Sequence, residues 1–310
     1  MKKPRILIVC ASAAACLSAG QAAAQSSVTL YGRIDANVTH MTGEGWYMDQ
    51  ASTSRLGVRG KEDMGNGLST VFQFESRINP KDGSTESPRF WGREAWVGLQ
   101  GNWGTLRLGR SLSPSQRIAS GYDPHGTDGI GSFGSSGLLL GLPSSTFVRF
   151  DSGIYYETPK FGGFTLFGAG TVKGESESYS IRLRYANGPF DGSLGYGRHS
   201  SGNHVASLGL SYDFKFIKPM LQYHSGKRAS RKRATWLVGA TAPLGPGKLR
   251  FAYSMQDDKG AAPQVDRKLI SLGYDYSLSK RTLVYGTVVH DKQDGDRRRH
   301  GVELGIRHSF

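Results

Sequence analysis

From Val28 onward, apolar and polar residues alternate. Val28, Leu30, Ile34, Ala36 and Val38 fall on one face of an extended chain, and Thr29, Tyr31, Arg33, Asp35, Asn37 and Thr39 on the other. A period of 2 marks a strand that is wet on one side only. The pattern returns in Thr70, Phe72, Phe74 and Ile78 against Gln73, Glu75 and Arg77. It recurs in Tyr179, Ile181, Leu183 and Tyr185 against Ser178, Ser180, Arg182 and Arg184, and in Leu249, Phe251, Tyr253 and Met255 against Lys248, Arg250, Ser254 and Gln256. It also ends the chain, where Val302, Leu304, Ile306, His308 and Phe310 oppose Glu303, Arg307 and Ser309.

The connections come in two sizes. Glu62 to Gly67, Gly101 to Gly104, Pro159 to Gly163, Ala186 to Pro189, Leu244 to Gly247 and Leu278 to Lys280 are short and rich in Gly, Pro or Asn, the composition of tight turns. Met41 to Ser52, Pro80 to Pro88, Ser225 to Arg233, Asp257 to Val265 and Gln293 to Arg299 are longer and polar. Short and long alternate, which predicts an antiparallel up-and-down meander with turns at one end and loops at the other. It would contain about sixteen strands of the ~9–11 residues that cross a bilayer. The segment from Ser111 to Thr146 breaks the alternation and exceeds the ~12–15 residues of an ordinary loop. It is expected to fold back inside, with Tyr122, Phe133 and Leu138 to Leu140 against the wall, rather than to extend outward.

Composition decides which face is inside. Only 37% of residues are apolar and the mean hydropathy is −0.40, too little for the filled core of a soluble β-sandwich, whose apolar faces meet. Closing about sixteen strands leaves an interior too wide for side chains to fill. The polar face would then line water and the apolar face would meet lipid, giving an all-β, 16-stranded antiparallel transmembrane β-barrel. Gly, at 43 of 310 residues, is about twice its ordinary ~7%, as many turns require. Outside the first 25 residues no stretch approaches the ~18 apolar residues of a membrane helix.

The N-terminus carries Lys2, Lys3 and Arg5, an apolar core from Ile6 to Leu17, and Ala22-Ala23-Ala24 before Gln25, the layout of a cleaved export signal over residues 1–24. Both cysteines, Cys10 and Cys16, lie within it, so residues 25–310 hold no disulfide or thiolate metal site. Without Lys2, Lys3 and Arg5, 36 basic residues face 25 acidic ones, a formal +11. The excess belongs to the exported protein.

The segments SSVTLYGRID (26–35), STSRLGVRGKEDMGNGL (52–68), GREAWVGLQGNWGTLRLGR (92–110), YYETPKFGGF (155–164), YANGP (185–189), LGYDYSLSKRTLVYG (272–286) and GVELGIRHSF (301–310) span the chain in order. Together they resemble the trimeric general porins of Gram-negative outer membranes, in the form common among beta-proteobacteria. The resemblance implies a sixteen-stranded barrel, an inward-folded third loop (111–146) as a constriction, and a homotrimer in the outer membrane that passes ions and small hydrophilic solutes. It places Arg55, Arg93 and Arg149 on the wall at the constriction. Strict alternation gives Arg93 the parity of Ala95, Val97 and Leu99, so an inward Arg93 requires a bulge or an end effect. Arg110, with the parity of Leu106 and Leu108, is expected to anchor the inward loop.

Asp123 and Asp128 are the loop's acids, and Glu75 adds a carboxylate from the third strand. Three wall arginines against these make a constriction that prefers anions, because a narrow low-dielectric pore strengthens each charge and guanidinium stays ionised when clustered. Arg182, Arg184 and Arg250 read as solvated wall residues paired with neighbours. The clusters Lys227-Arg228, Arg231-Lys232-Arg233 and Arg297-Arg298-Arg299 sit in polar loops without interleaved aromatics, a pattern suited to lipopolysaccharide phosphates or plain solvation and not to nucleic acid. Phe310, ending an amphipathic strand, resembles the signal read by periplasmic chaperones and the barrel-assembly machinery. No G-x-S-x-G, H-E-x-x-H, G-x-x-x-x-G-K-[ST] or C-x-x-C occurs, and the expected protein is not an enzyme and holds neither cofactor nor metal. The alternative is a substrate-specific outer-membrane channel for anionic or sugar solutes.

Overall fold

The computed structural model describes residues 26–85, 88–132, 148–172, 177–228, 230–259, 266–293, 295 and 298–310. The export signal lies outside them, as do Phe133 and Leu138 to Leu140. The first strands are β1 (Ser27–Met41), β2 (Gly45–Asp49), β3 (Ser54–Gly65), β4 (Leu68–Ile78), β5 (Glu94–Gly101) and β6 (Gly104–Leu112). A short helix, α1 (Gln116–Gly121), follows, then β7 (Arg149–Glu157), β8 (Phe164–Thr171), β9 (Ser178–Asn187), β10 (Phe190–His199) and β11 (His204–Tyr212). The chain finishes with β12 (Lys218–Arg228), β13 (Arg231–Leu244), β14 (Gly247–Lys259), β15 (Arg267–Ser277), β16 (Thr282–Gln293) and β17 (Arg299–Ser309).

From β3 onward each strand pairs antiparallel with the next, and β17 returns to pair with β1 from Arg33↔Ser309 to Met41↔Gly301. The other edge of β1 meets β3 over Ser27–Arg33 and β2 over Asn37–Met41. β2 and β3 are therefore two halves of one wall strand, and the seventeen segments close a sixteen-stranded barrel. Closure leaves no unpaired edge, the condition for a sheet to sit in lipid.

Burial along β1 is inverted relative to a soluble strand. Asp35 and Thr39 are 0% and 1% exposed, whereas Leu30 and Val38 are 62% and 45% exposed. The same inversion holds in β9, where Tyr179, Ile181 and Leu183 face out, and in β14, where Phe251 and Met255 do. Each large apolar side chain moved from water into hydrocarbon gains roughly 1.5–3 kcal/mol, so the bilayer supplies the driving force that a soluble protein takes from its core.

The end of the barrel that carries the longer connections departs from expectation. Ser225 to Arg233 is not a loop: β12 runs to Arg228, β13 starts at Arg231, and the ladder continues through Lys227↔Lys232. β14 likewise carries Asp257 and Asp258 to Lys259, and the Met41 to Ser52 connection contains β2. Above the bilayer both faces meet water, so hydropathy loses its period of 2 while backbone pairing continues.

Candidate functional site

The segment after β6 travels around the polar inner face. Ser115 N–H donates to Ser180 Oγ of β9 at 3.0 Å. Tyr122 Oη lies 2.7 Å from both Asp191 and Ser193 of β10. Gln222 Nε2 of β12 donates to the Ala119 carbonyl at 3.0 Å, and Ser271 Oγ of β15 sits 2.9 Å from His125 Nε2. At the far side Ile130 N–H donates to Glu303 of β17 at 3.3 Å, and Gly129 N–H to the Ala51 carbonyl at 3.0 Å. Close approach depends on Gly209, since a Cβ there would stand 2.2 Å from Tyr122 Cδ2. Burial, reinforced by Arg250 and Lys248, holds the His125 imidazole well below its usual range. It sits neutral against the wall.

Facing this segment is a row of arginines. The register sets Arg33 directly opposite Arg55, and Arg55 directly opposite Arg77, so three cations are neighbours across β1, β3 and β4. Like charges directly opposite destabilise a sheet. Glu75, 5% exposed, offsets part of that cost: it accepts from Arg93 Nε and from Tyr31 Oη, and stands 3.8 Å from Arg55 Nε. Arg33 donates to Ser52 Oγ at 2.7 Å, and Arg149 Nε to the Arg93 carbonyl at 2.8 Å.

Between this row and the inner segment lies a cavity of about 350 Å³, lined by Arg33, Arg55, Arg77, Arg93 and Arg149 from the wall and by Gln116, Ser120, Thr127 and Asp128 from the segment. Asp128 is its one lining carboxylate among the described residues, 3.5 Å from Arg307. Burial pushes the Asp128 carboxyl above its ordinary range, outweighing the pull of Arg307, Ser52 and Arg33.

Arg55, Arg93, Arg149 and Asp128 thus meet in one cavity, with Glu75 behind them. Arg93 reaches it by an end effect: it precedes β5, where its N–H donates to the Glu75 carbonyl at 3.1 Å. Asp123 belongs elsewhere, since its carboxylate accepts the N–H groups of His125 and Thr127 and fixes the loop's own turn. Arg110 departs from its expected role. It sits at a β-bulge beside Gly109, donates to the Gly92 carbonyl at 2.8 Å and pairs with Asp151, tying the β4–β5 connection to β7 while other contacts hold 113–132.

Sequence reading passed over Arg33 and Arg77. Both have inward parity, but nothing in one strand marks them as neighbours in the next.

The wall pairs include Arg184–Asp191 at 2.5 Å and Arg250–Asp275 at 2.8 Å, while Arg182 donates to Ser193. Arg233, expected in an exposed polar loop, is instead 8% exposed, faces inward and holds Asp258 at 2.8 Å, so it presents no cation to the outside. Phe310 exchanges backbone hydrogen bonds of 3.1 Å with Gly32 and closes the barrel seam.

The model of the Gram-negative porin family matches residues 11–296. The chain belongs to the Gram-negative porins. This porin is 34% identical to outer membrane porin protein 32 of Delftia acidovorans, with 100% of each chain covered. It is 30% identical to an outer membrane porin of Bordetella pertussis over 94% of this chain and 96% of that one. Among solved structures, an anion-selective porin from Comamonas acidovorans superposes with a TM-score of 0.80 at 30% identity, covering 92% of this chain and 100% of that one. A trimer form of OmpT from Vibrio cholerae, 16% identical, shares the fold with a TM-score of 0.74. The protein is an outer membrane channel through which small hydrophilic solutes diffuse passively.

Proposed function

We propose that this porin is a general diffusion channel that prefers anions, with the cavity between the arginine row and residues 116–128 as its constriction. One observation carries the reading: five arginines and one aspartate line that cavity. In a narrow passage with low-dielectric walls such an imbalance lowers the energy of a passing anion and raises that of a cation. Arg33, Arg55, Arg77, Arg93 and Arg149 supply the field, Glu75 positions Arg55 and Arg93, and Asp128 trims the net charge. Reversal potentials across planar bilayers in a KCl gradient test this, and a cation preference overturns it. Arg93→Glu should move the potential toward cations.

The sugar-specific alternative is disfavoured because no aromatic ring lines the cavity among the described residues. Liposome swelling should give a smooth size cutoff across graded sugars, whereas saturation by one solute would favour a dedicated channel. Catalysis is not part of the proposal. The buried serine–histidine contacts are structural: Ser271–His125 ties the loop to β15, and Ser207–His224 links β11 to β12 beside Gln222, which holds the Ala119 carbonyl. The assembly is proposed as a homotrimer among outer-membrane lipids and lipopolysaccharide. Its export signal is 1–24, and Phe310 is read by chaperones and the assembly machinery. Deleting Phe310 should stop heat-modifiable folding in membranes.

A further inference from the structure

We propose that His290 and His300 form a binding site for one divalent transition-metal ion, of the zinc and copper class, on the outer face of the barrel's extracellular rim. The two are directly opposite in the β16–β17 ladder. Their rings lie 4.7 Å apart at 45°, and the two Nδ1 atoms face each other at 3.4 Å. Two nitrogens bound to one tetrahedral ion at ~2.0–2.1 Å stand about 3.4 Å apart, so both imidazoles can ligate with little movement.

The arrangement is unlike that of the other six histidines. Each of those has a hydroxyl, amide or carbonyl partner, or an aromatic ring against it. Only here do two ring nitrogens meet without an acceptor from another residue type. Two neutral imidazoles in this pose offer two lone pairs and at most one useful proton, and a metal ion satisfies both.

Ligand chemistry selects the ion. Imidazole suits Zn²⁺, Cu²⁺ and Ni²⁺, whereas Ca²⁺ and Mg²⁺ need oxygen ligands. The neighbouring carboxylates Asp291 and Glu303 have opposite parity and face inward, Asp291 bound to Arg267. Water completes the coordination shell. Exposed Lys292, two residues beyond His290 on the same face, adds positive charge, so the site is a weak one.

Isothermal titration of ZnCl₂ into the untagged, detergent-solubilised porin should show one ion per chain. Electron paramagnetic resonance with Cu²⁺ should report two nitrogen ligands. His290→Ala and His300→Ala should each weaken binding by more than the roughly tenfold that loss of a supporting partner costs. His290→Gln, which keeps size and polarity, should give the same loss in a barrel that remains heat-modifiable. His308→Ala, on the outer face at the other end of β17, should leave binding unchanged. No binding by the unaltered porin, or equal binding by the His290→Ala/His300→Ala double variant, would overturn the site.

Discussion

Glu75 shows how little negative charge the arginine row tolerates. Its carboxylate holds Arg93, faces Arg55 and accepts the Tyr31 hydroxyl at 2.9 Å, and hydrogen bonds to charged groups are worth about 1.5–3 kcal/mol each. Glu75→Gln should raise the anion preference in bilayer reversal potentials and lower the midpoint of thermal unfolding, because two cations lose their shared partner. A shift toward cations would mean that Arg93 had left the pore. Asp128 makes a second residue-scale prediction. Its raised carboxyl takes up a proton while ordinary carboxylates are still ionised, and His125, held low, stays neutral over the same interval. As pH falls from neutral, one negative charge therefore leaves the cavity first and anion preference rises. Asp128→Asn should start at the higher preference and lose that pH step; an identical step in the variant would assign it to another group.

At the scale of elements, α1 is six residues long, too short to be stable alone, so its position comes from the wall it touches. Tyr122→Phe keeps the ring on Gly209 and removes the hydroxyl contacts to the Asp191 carboxylate, worth about 1.5–3 kcal/mol, and to Ser193, worth about 1 kcal/mol, and should add current noise at unchanged conductance. Gly209→Ala puts a methyl group where the Tyr122 ring lies. It should change single-channel conductance outright, and records identical to the unaltered porin would remove the segment from the conduction path.

The same contrast explains what was legible in the sequence. The strands could be read because lipid enforces a period of 2 on Ile181 and Leu183 as strictly as water does on Arg182 and Arg184. The partners of 113–132 could not, since Ser180, Gln222, Ser271 and Glu303 come from four strands whose neighbourhood exists only after closure. Arg110 resisted parity because a bulge re-aims it, and Arg93 because it stands just before its strand. Arg33 and Arg77 had the right parity from the start. What was missing was the register that sets them on either side of Arg55.

For the whole molecule, the sign of the net charge was visible in composition, but not its division between paired and field-generating groups. Arg233, Arg267 and Arg307 are each held by an aspartate and contribute little field at a distance. The cavity arginines outnumber their carboxylates, so the selectivity should come from a few charges in one narrow place. Screening separates this from a general surface effect. The Debye length falls from about 10 Å at 0.1 M salt to about 3 Å at 1 M, and partly buried charges are screened less than exposed ones. Raising KCl over that range should reduce the anion preference without abolishing it, and what survives at high salt should be lost in Arg55→Ala/Arg93→Ala. Complete loss in the unaltered porin at 1 M would place the selectivity on exposed cations such as Lys227 and Lys232. A preference indifferent to salt would assign it to direct contacts between solute and guanidinium, not to the field of the row.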